Sequence, residues 1–198
     1  MLNRKYLPGF LIMTLIAANC FSQKKDAVKP WQFHSINNIG LLEGQAGSAF
    51  QLQTINGAQY KSWLAGIGVG LDYYRFRTIP LFADVRKEFG KSGNKFFVYA
   101  DAGINFYWKK DKDAKQFYVD DKFKNGFYGE AGLGYKLKIN QKIALIFSGG
   151  YSYKKLTEEG SSYPSYMYPI LAGTEFPIAK EKINYNFNRL VLKAGIEF

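Results

Sequence analysis

Cysteine and histidine are almost absent: the 198-residue chain has one of each, Cys20 and His34. One cysteine excludes an internal disulfide framework. One histidine cannot build a histidine-rich metal site. Outside the extreme N-terminus no apolar run is sustained, and mean hydropathy is −0.24. A helical membrane bundle is therefore excluded. The 47% hydrophobic content is too high for a disordered chain. What is plentiful is aromatic and small: 17 Phe, 15 Tyr and 20 Gly. That mixture points to an all-β chain with tightly packed small positions.

The N-terminus reads as an export signal covering residues 1–22. Arg4 and Lys5 supply the positive start, Leu7 to Ala18 the apolar stretch, and Cys20-Phe21-Ser22 the small residues before cleavage at Gln23. About 12 apolar residues are too few to span a ~30 Å hydrocarbon core. A lipid-modified Cys20 is the competing reading, which Asn19 before it fits poorly. The mature chain then has no cysteine and stays basic. For an exported protein, that charge favours anionic lipid headgroups or glycans over nucleic acid as partners.

Beyond the signal the hydropathy period is two. Phe96, Val98, Ala100, Ala102, Ile104, Phe106 and Trp108 share one face, and Tyr99, Asp101, Gly103 and Asn105 the other. Phe127–Ile139, Trp63–Tyr74, Ile143–Tyr153 and Leu190–Phe198 alternate in the same way. His34–Leu42, Ser48–Ile55 and Leu81–Phe89 bring the count to eight. A soluble sandwich would have strands of about 5–6 residues. Here several run far longer, with aromatics near both ends of the apolar face. The opposite face mixes glycine with Asp72, Asp84, Arg86, Asp101, Glu130, Lys136, Arg189 and Lys193. This is a membrane barrel turned inside out, with lipid outside and a paired charge network in the lumen. The expected fold is an eight-stranded antiparallel transmembrane β-barrel over 34–198, preceded by a short periplasmic segment, 23–33.

Connection lengths support closure. Asn56-Gly57, Gly90–Lys95 and Asn140–Lys142 read as short turns, and Lys109–Lys124 and Lys154–Lys182 as long loops. Short turns after even strands and long loops after odd ones place both termini on the periplasmic side. Leu190, Leu192, Ala194, Ile196 and Phe198 form a final alternating strand of the kind read by outer-membrane barrel assembly machinery.

Taken together, the signal, the eight strands and Leu190–Phe198 resemble the small outer-membrane barrels of the OmpA/OmpX-like superfamily. Ile79–Arg86 followed by Phe96–Ile104 is similar to the Bacteroidetes-type barrel domain that includes PorT-like proteins. The resemblance implies an outer-membrane location and no catalytic roles, and its PorT-like branch implies binding to other secretion components. The residues agree on catalysis. A barrel-wall lipid hydrolase would need His34 beside a serine, but Ser35 points to the opposite strand face, and no Gly-x-Ser-x-Gly elbow exists. A soluble lipocalin-like barrel is the remaining all-β alternative. No cofactor or metal motif is present: Asp111, Asp113, Asp120 and Asp121 lack the EF-hand spacing. Tyr163, Tyr166 and Tyr168, set among Pro164, Pro169 and Pro177, form a candidate extracellular surface for a protein or glycan partner.

Overall fold

The computed structural model describes residues 31–90, 93–108, 122–162 and 179–198, without side chains at 161–162 and 179–181. The barrel unit is Trp31–Phe198. The expected export signal and Tyr163, Tyr166 and Tyr168 lie outside the described residues.

Among the described residues nine strands follow in chain order. They are β1 (Trp31–Gly44), β2 (Gly47–Tyr60), β3 (Trp63–Asp72), β4 (Thr78–Phe89) and β5 (Lys95–Tyr107). The short β6 (Lys122–Lys124) precedes β7 (Gly126–Lys138), β8 (Ala144–Ser162) and β9 (Ala179–Glu197). Every pairing is antiparallel, and β9 returns to β1 through Ile36↔Glu197 to Gly44↔Arg189. The sheet is therefore a closed eight-stranded barrel, with β6 an added piece on β8. Closure removes the open edges that lipid could not satisfy.

The register fixes the barrel's stagger. One line of partners runs His34, Gly57, Gly66, Asp84, Asp101, Glu130, Ser152, Arg189 and back to Gly44. It returns to β1 ten residues from its start. A sheet closed with such a shift tilts its strands by about 40°, and eight strands leave room only for side chains inside.

The alternation expected from the sequence is the observed one. Phe96, Val98, Ile104, Phe106 and Trp108 are exposed, while Phe97, Tyr99, Asp101 and Asn105 are buried. On β5, Phe96 and Phe106 are ten residues apart; at about 3.3 Å per residue and this tilt, the two aromatic levels are about 25 Å apart. That is the height of the apolar band on outer-membrane barrels. Trp31, Trp63, Phe89 and Phe198 join the lower level, and Phe50, Tyr73, Trp108 and Phe127 the upper. Cations dock on both: Lys87 Nζ lies 4.9 Å from the Trp63 ring, and Arg77 lies between Tyr73 and Trp108 at 5.3 and 4.9 Å. Each girdle thus couples an amphipathic ring to a charge able to reach water.

Inside, glycines make room for rings. A Cβ on Gly134 would fall 2.1 Å from the Phe97 ring, and one on Gly68 would fall 2.3 Å from Phe82. The buried cluster of Ile36, Ile55, Phe82, Phe97, Tyr99, Tyr128 and Ile146 forms on that basis.

Three connections differ from the sequence expectation. Asn56-Gly57 is not a turn: both residues lie inside β2, and the real turn is Lys61-Ser62, with Lys61 in the left-handed region at φ 54°. Gly57 is there because a Cβ would meet the Ala65 carbonyl oxygen at 2.1 Å. Lys154–Lys182 is not all loop, since β8 and β9 stay paired to Ser162↔Ala179. Lys109–Lys124 likewise ends in a strand, β6. Between β6 and β7, the path from Lys124 to Tyr128 carries one residue more than the facing path from Thr157 to Lys154. This is a β-bulge, and Gly126 permits it by bringing its backbone against the Lys155 carbonyl.

Candidate functional site

Most of the buried ionisable side chains among the described residues lie in the lumen, in three layers. At the short-turn end, the Glu88 carboxylate accepts from Lys95 Nζ at 2.6 Å, Lys136 Nζ at 2.8 Å and Gln59 Nε2 at 3.1 Å. Lys136 also donates to Glu197 at 2.6 Å. One network thereby ties β2, β4, β5, β7 and β9.

The middle layer is a row of three carboxylates, Asp84, Asp101 and Glu130, that are direct cross-strand partners on β4, β5 and β7. Like charges so placed repel, so the surrounding groups must offset them. Arg86 Nε donates to both Asp84 oxygens at 3.0 and 2.9 Å. Lys193, from β9, donates to Glu130 and to Gln53, and its Nζ lies 4.0 Å from Asp101. The Tyr99 and Tyr128 hydroxyls donate to Glu130 at 3.0 and 2.8 Å, and Gln51 and Gln53 donate to Tyr128.

The outer layer centres on Asp72, which is fully buried. It accepts from Lys154 Nζ at 3.1 Å and from Arg189 Nη1 at 2.5 Å. Arg189 also donates to Ser152 Oγ at 2.7 Å. Lys154 reaches further, to the Tyr74 and Phe76 carbonyls at 2.8 and 3.0 Å. That lysine pins the β3–β4 connection inward across the mouth, where Arg75 turns the chain at φ 56°. Phe76 then packs on Phe123, Tyr185 and Phe187 at 5.3, 5.0 and 6.0 Å. Charge below and aromatics above close the long-loop end.

All eight residues named from the sequence have inner-face positions. Asp72, Asp84, Arg86, Asp101, Glu130, Arg189 and Lys193 are buried and Lys136 is half-buried. They do not form one network, and they are incomplete without Glu88, Lys95, Lys154, Glu197, Tyr99 and Tyr128. Parity places all six: Glu88 continues the Asp84–Arg86 face, Lys154 the Ser148–Ser152 face, Lys95 and Tyr99 the Asp101 face, Tyr128 the Glu130 face and Glu197 the Arg189–Lys193 face; which of them bond to one another is what parity leaves open. Leu190, Leu192, Ala194, Ile196 and Phe198 are exposed on the outer face, and the Phe198 backbone exchanges hydrogen bonds with Ser35 at 2.9 and 3.1 Å. His34 lies on the inner face and Ser35 on the outer, so the two do not assemble a nucleophile–base pair. Among the described residues, no group of three or more His, Cys, Asp or Glu side chains is arranged to hold a metal ion.

Above the rim, β8 and β9 continue as a hairpin. Lys124 Nζ donates to Glu159 at 2.7 Å, linking β6 to it, and that hydrogen bond holds the Glu159 carboxyl below its ordinary pKa. Tyr185 Oη donates to Glu158 at 2.6 Å.

No protein-family model matches the chain, and no curated protein matches it. Solved structures do. Neisserial surface protein A matches with a TM-score of 0.54 at 11% identity, over 87% of this chain and 98% of that one. The outer membrane protein OprG of Pseudomonas aeruginosa matches with a TM-score of 0.59 at 9% identity, over 83% and 94%. The fold is that of the small outer-membrane β-barrels. Identities this low carry the architecture alone, so roles for individual residues rest on the geometry above.

Three cross-linked layers of side chains inside an eight-stranded barrel are expected not to conduct hydrated ions. Purified protein in planar bilayers should give no stable single-channel steps; large, reproducible steps would refute the packed lumen.

Proposed function

We propose that this chain is a non-enzymatic barrel of the outer membrane that carries an interaction surface on its β8–β9 hairpin. The observation behind this is the length of that hairpin. β8 and β9 each run 19 residues, whereas β3, between its own girdle residues, runs 10. A crossing needs about 9–11 residues, so the upper half of the hairpin stands in water at the long-loop end. Paired strands hold their side chains in a fixed pattern, and a rigid surface loses little entropy on binding. Asn184, Asn186 and Asn188 occupy one face of β9, where they accept from Thr157, Tyr153 and Tyr151. Such a polar, tyrosine-bearing face fits a protein or glycan partner. The PorT-like resemblance directs the same surface towards secretion components, a reading that requires a defined complex to co-purify in mild detergent.

The orientation is testable with epitope tags. A tag inserted between residues 163 and 178 should be labelled on intact cells, and one at Asn140 only after permeabilisation. The reverse pattern would overturn the assignment of the hairpin to the outside.

A further inference from the structure

We infer that the outer wall of β1 and β2 is the face through which two copies of this barrel pair side by side in the membrane. This rests on the membrane-barrel reading proposed above. The observation is a polar island in a surface that faces lipid. Ser35 and Asn37 on β1 and Thr54 and Asn56 on β2 alternate with the buried inner residues His34, Ile36, Gln53 and Ile55, so all four stand on the outer face. They form two adjacent cross-strand pairs, Ser35↔Asn56 and Asn37↔Thr54.

Apolar residues enclose the island. Ile39 and Leu52 form the outer-face pair above it, Phe33 and Ala58 the pair below, and Ile196 and Val69 flank the Asn37–Thr54 pair. Its depth follows from β2. Phe50 belongs to the upper aromatic level, and Tyr60, ten residues on, stacks on Trp31 at 4.9 Å in the lower one. Thr54 is four residues from Phe50, and Asn56 four from Tyr60. At about 3.3 Å per residue and a tilt of about 40°, each lies about 10 Å inside the nearer level. The island therefore sits within the hydrocarbon. Among the described residues, the outer positions of β3, β4, β5, β7, β8 and β9 between the two levels are aliphatic, aromatic or glycine.

Lipid cannot satisfy these groups. Thr54 Oγ1 donates to Asn37 Oδ1, while Asn56 Oδ1 is buried without a donor. Acyl chains offer neither donors nor acceptors, so polar side chains at this depth call for a protein surface that reaches it.

The chemistry of the island selects the occupant. Each amide and each hydroxyl is both donor and acceptor, so the island is complementary to itself. A two-fold axis along the membrane normal sets it against its own copy at identical depth, as an isologous interface requires. The four side chains are uncharged, so their pairing brings no repulsion. A different partner would need a polar patch of its own at this level. Ala58 and Ala65, a cross-strand pair of small residues, let two walls approach below the island. The amides then hydrogen-bond across the contact, as polar side chains do between membrane helices.

The test uses the full chain, in native membranes and in mild detergent. Leu52→Cys places a thiol at an exposed position bordering the island, and a bis-maleimide should link two copies in membranes. Ile104→Cys, exposed on β5 across the barrel, should not be linked, and the wild type controls for Cys20. In detergent, native mass spectrometry should detect dimers. Asn37→Leu combined with Asn56→Leu should weaken them at least tenfold while heat-modifiable mobility is kept. Ala58→Phe, which holds the walls apart from beside the island, should act alike. A membrane-inserted barrel that stays monomeric would overturn the inference. So would dimers that neither variant weakens, or Leu52→Cys linked to a different protein instead of a second copy. Recovery of the wild type in the soluble fraction, without heat-modifiable mobility, would overturn the membrane-barrel reading itself, and the pairing with it.

Discussion

Asp72→Ala should cost the barrel about 3–5 kcal/mol, the range for breaking a buried ion pair by removing one partner. Asp72 is the acceptor that Lys154 and Arg189 share, and none of the three side chains touches solvent. Truncation leaves two like charges buried in the same layer. Lys154 keeps its carbonyl acceptors at Tyr74 and Phe76, and Arg189 keeps Ser152, so hydrogen bonding is partly retained while charge balance is lost. Lys154→Met should cost less. It removes one of the two cations, leaves the Asp72–Arg189 pair intact, and frees only the pinned connection. Urea unfolding in detergent micelles, followed by tryptophan fluorescence and by gel mobility without boiling, measures both variants. Equal stability of Asp72→Ala and wild type would show that the outer layer is hydrated and its charges screened. With total stabilities usually between about 5 and 15 kcal/mol, the expected loss is a large part of the whole.

The second large effect is expected on the opposite face. Ile67 stands on β3 between Trp63 and Tyr73, near the bilayer midplane, and is 68% exposed. Arginine at this depth should cost about 2–4 kcal/mol, whereas the same residue in place of Tyr73, at the interface, should cost about 0–1 kcal/mol. The contrast matters more than either value. A soluble barrel with a wet outer face would tolerate both changes equally, so refolding yields into lipid vesicles discriminate between the two environments. A flat response along β3 would remove the membrane from the description.

Much of this was legible in the sequence because lipid imposes a strict period. Wherever a strand crosses the bilayer, outer positions must be apolar and inner ones small or polar, and Phe96–Trp108 and Phe127–Ile139 show that rule without interruption. The reading failed where lipid stops dictating. Past Lys154, β8 carries Lys155, Thr157 and Glu159 on one face and Glu158 on the other, so neither face is purely apolar and the strand resembles a loop. Asn56-Gly57 misled for a different reason. That pair is a strong turn signal, but the close approach of Gly57 to Ala65 and Gly66 needs a glycine inside a strand as much as a turn would. Local chemistry was outweighed there by a tertiary contact. The division of the lumen into three layers was not legible, because it depends on a ten-residue stagger that only closure creates. That stagger brings Lys193 level with Glu130, although they lie far apart in sequence.

The carboxylate row has a consequence for assembly order. Asp84, Asp101 and Glu130 come together as soon as β4, β5 and β7 pair, and within those strands Arg86 is the cation placed among them. Lys193 arrives only with β9, which is also the strand that meets β1. A half-built sheet therefore sets three carboxylates against the single cation Arg86, and sealing the cylinder brings the second cation in the same step. Partly assembled intermediates are penalised electrostatically, which makes closure more nearly all-or-none than hydrogen bonding alone would. The charges at mid-lumen thus work as a checkpoint on completeness, built from residues that a lipid-facing inventory would pass over.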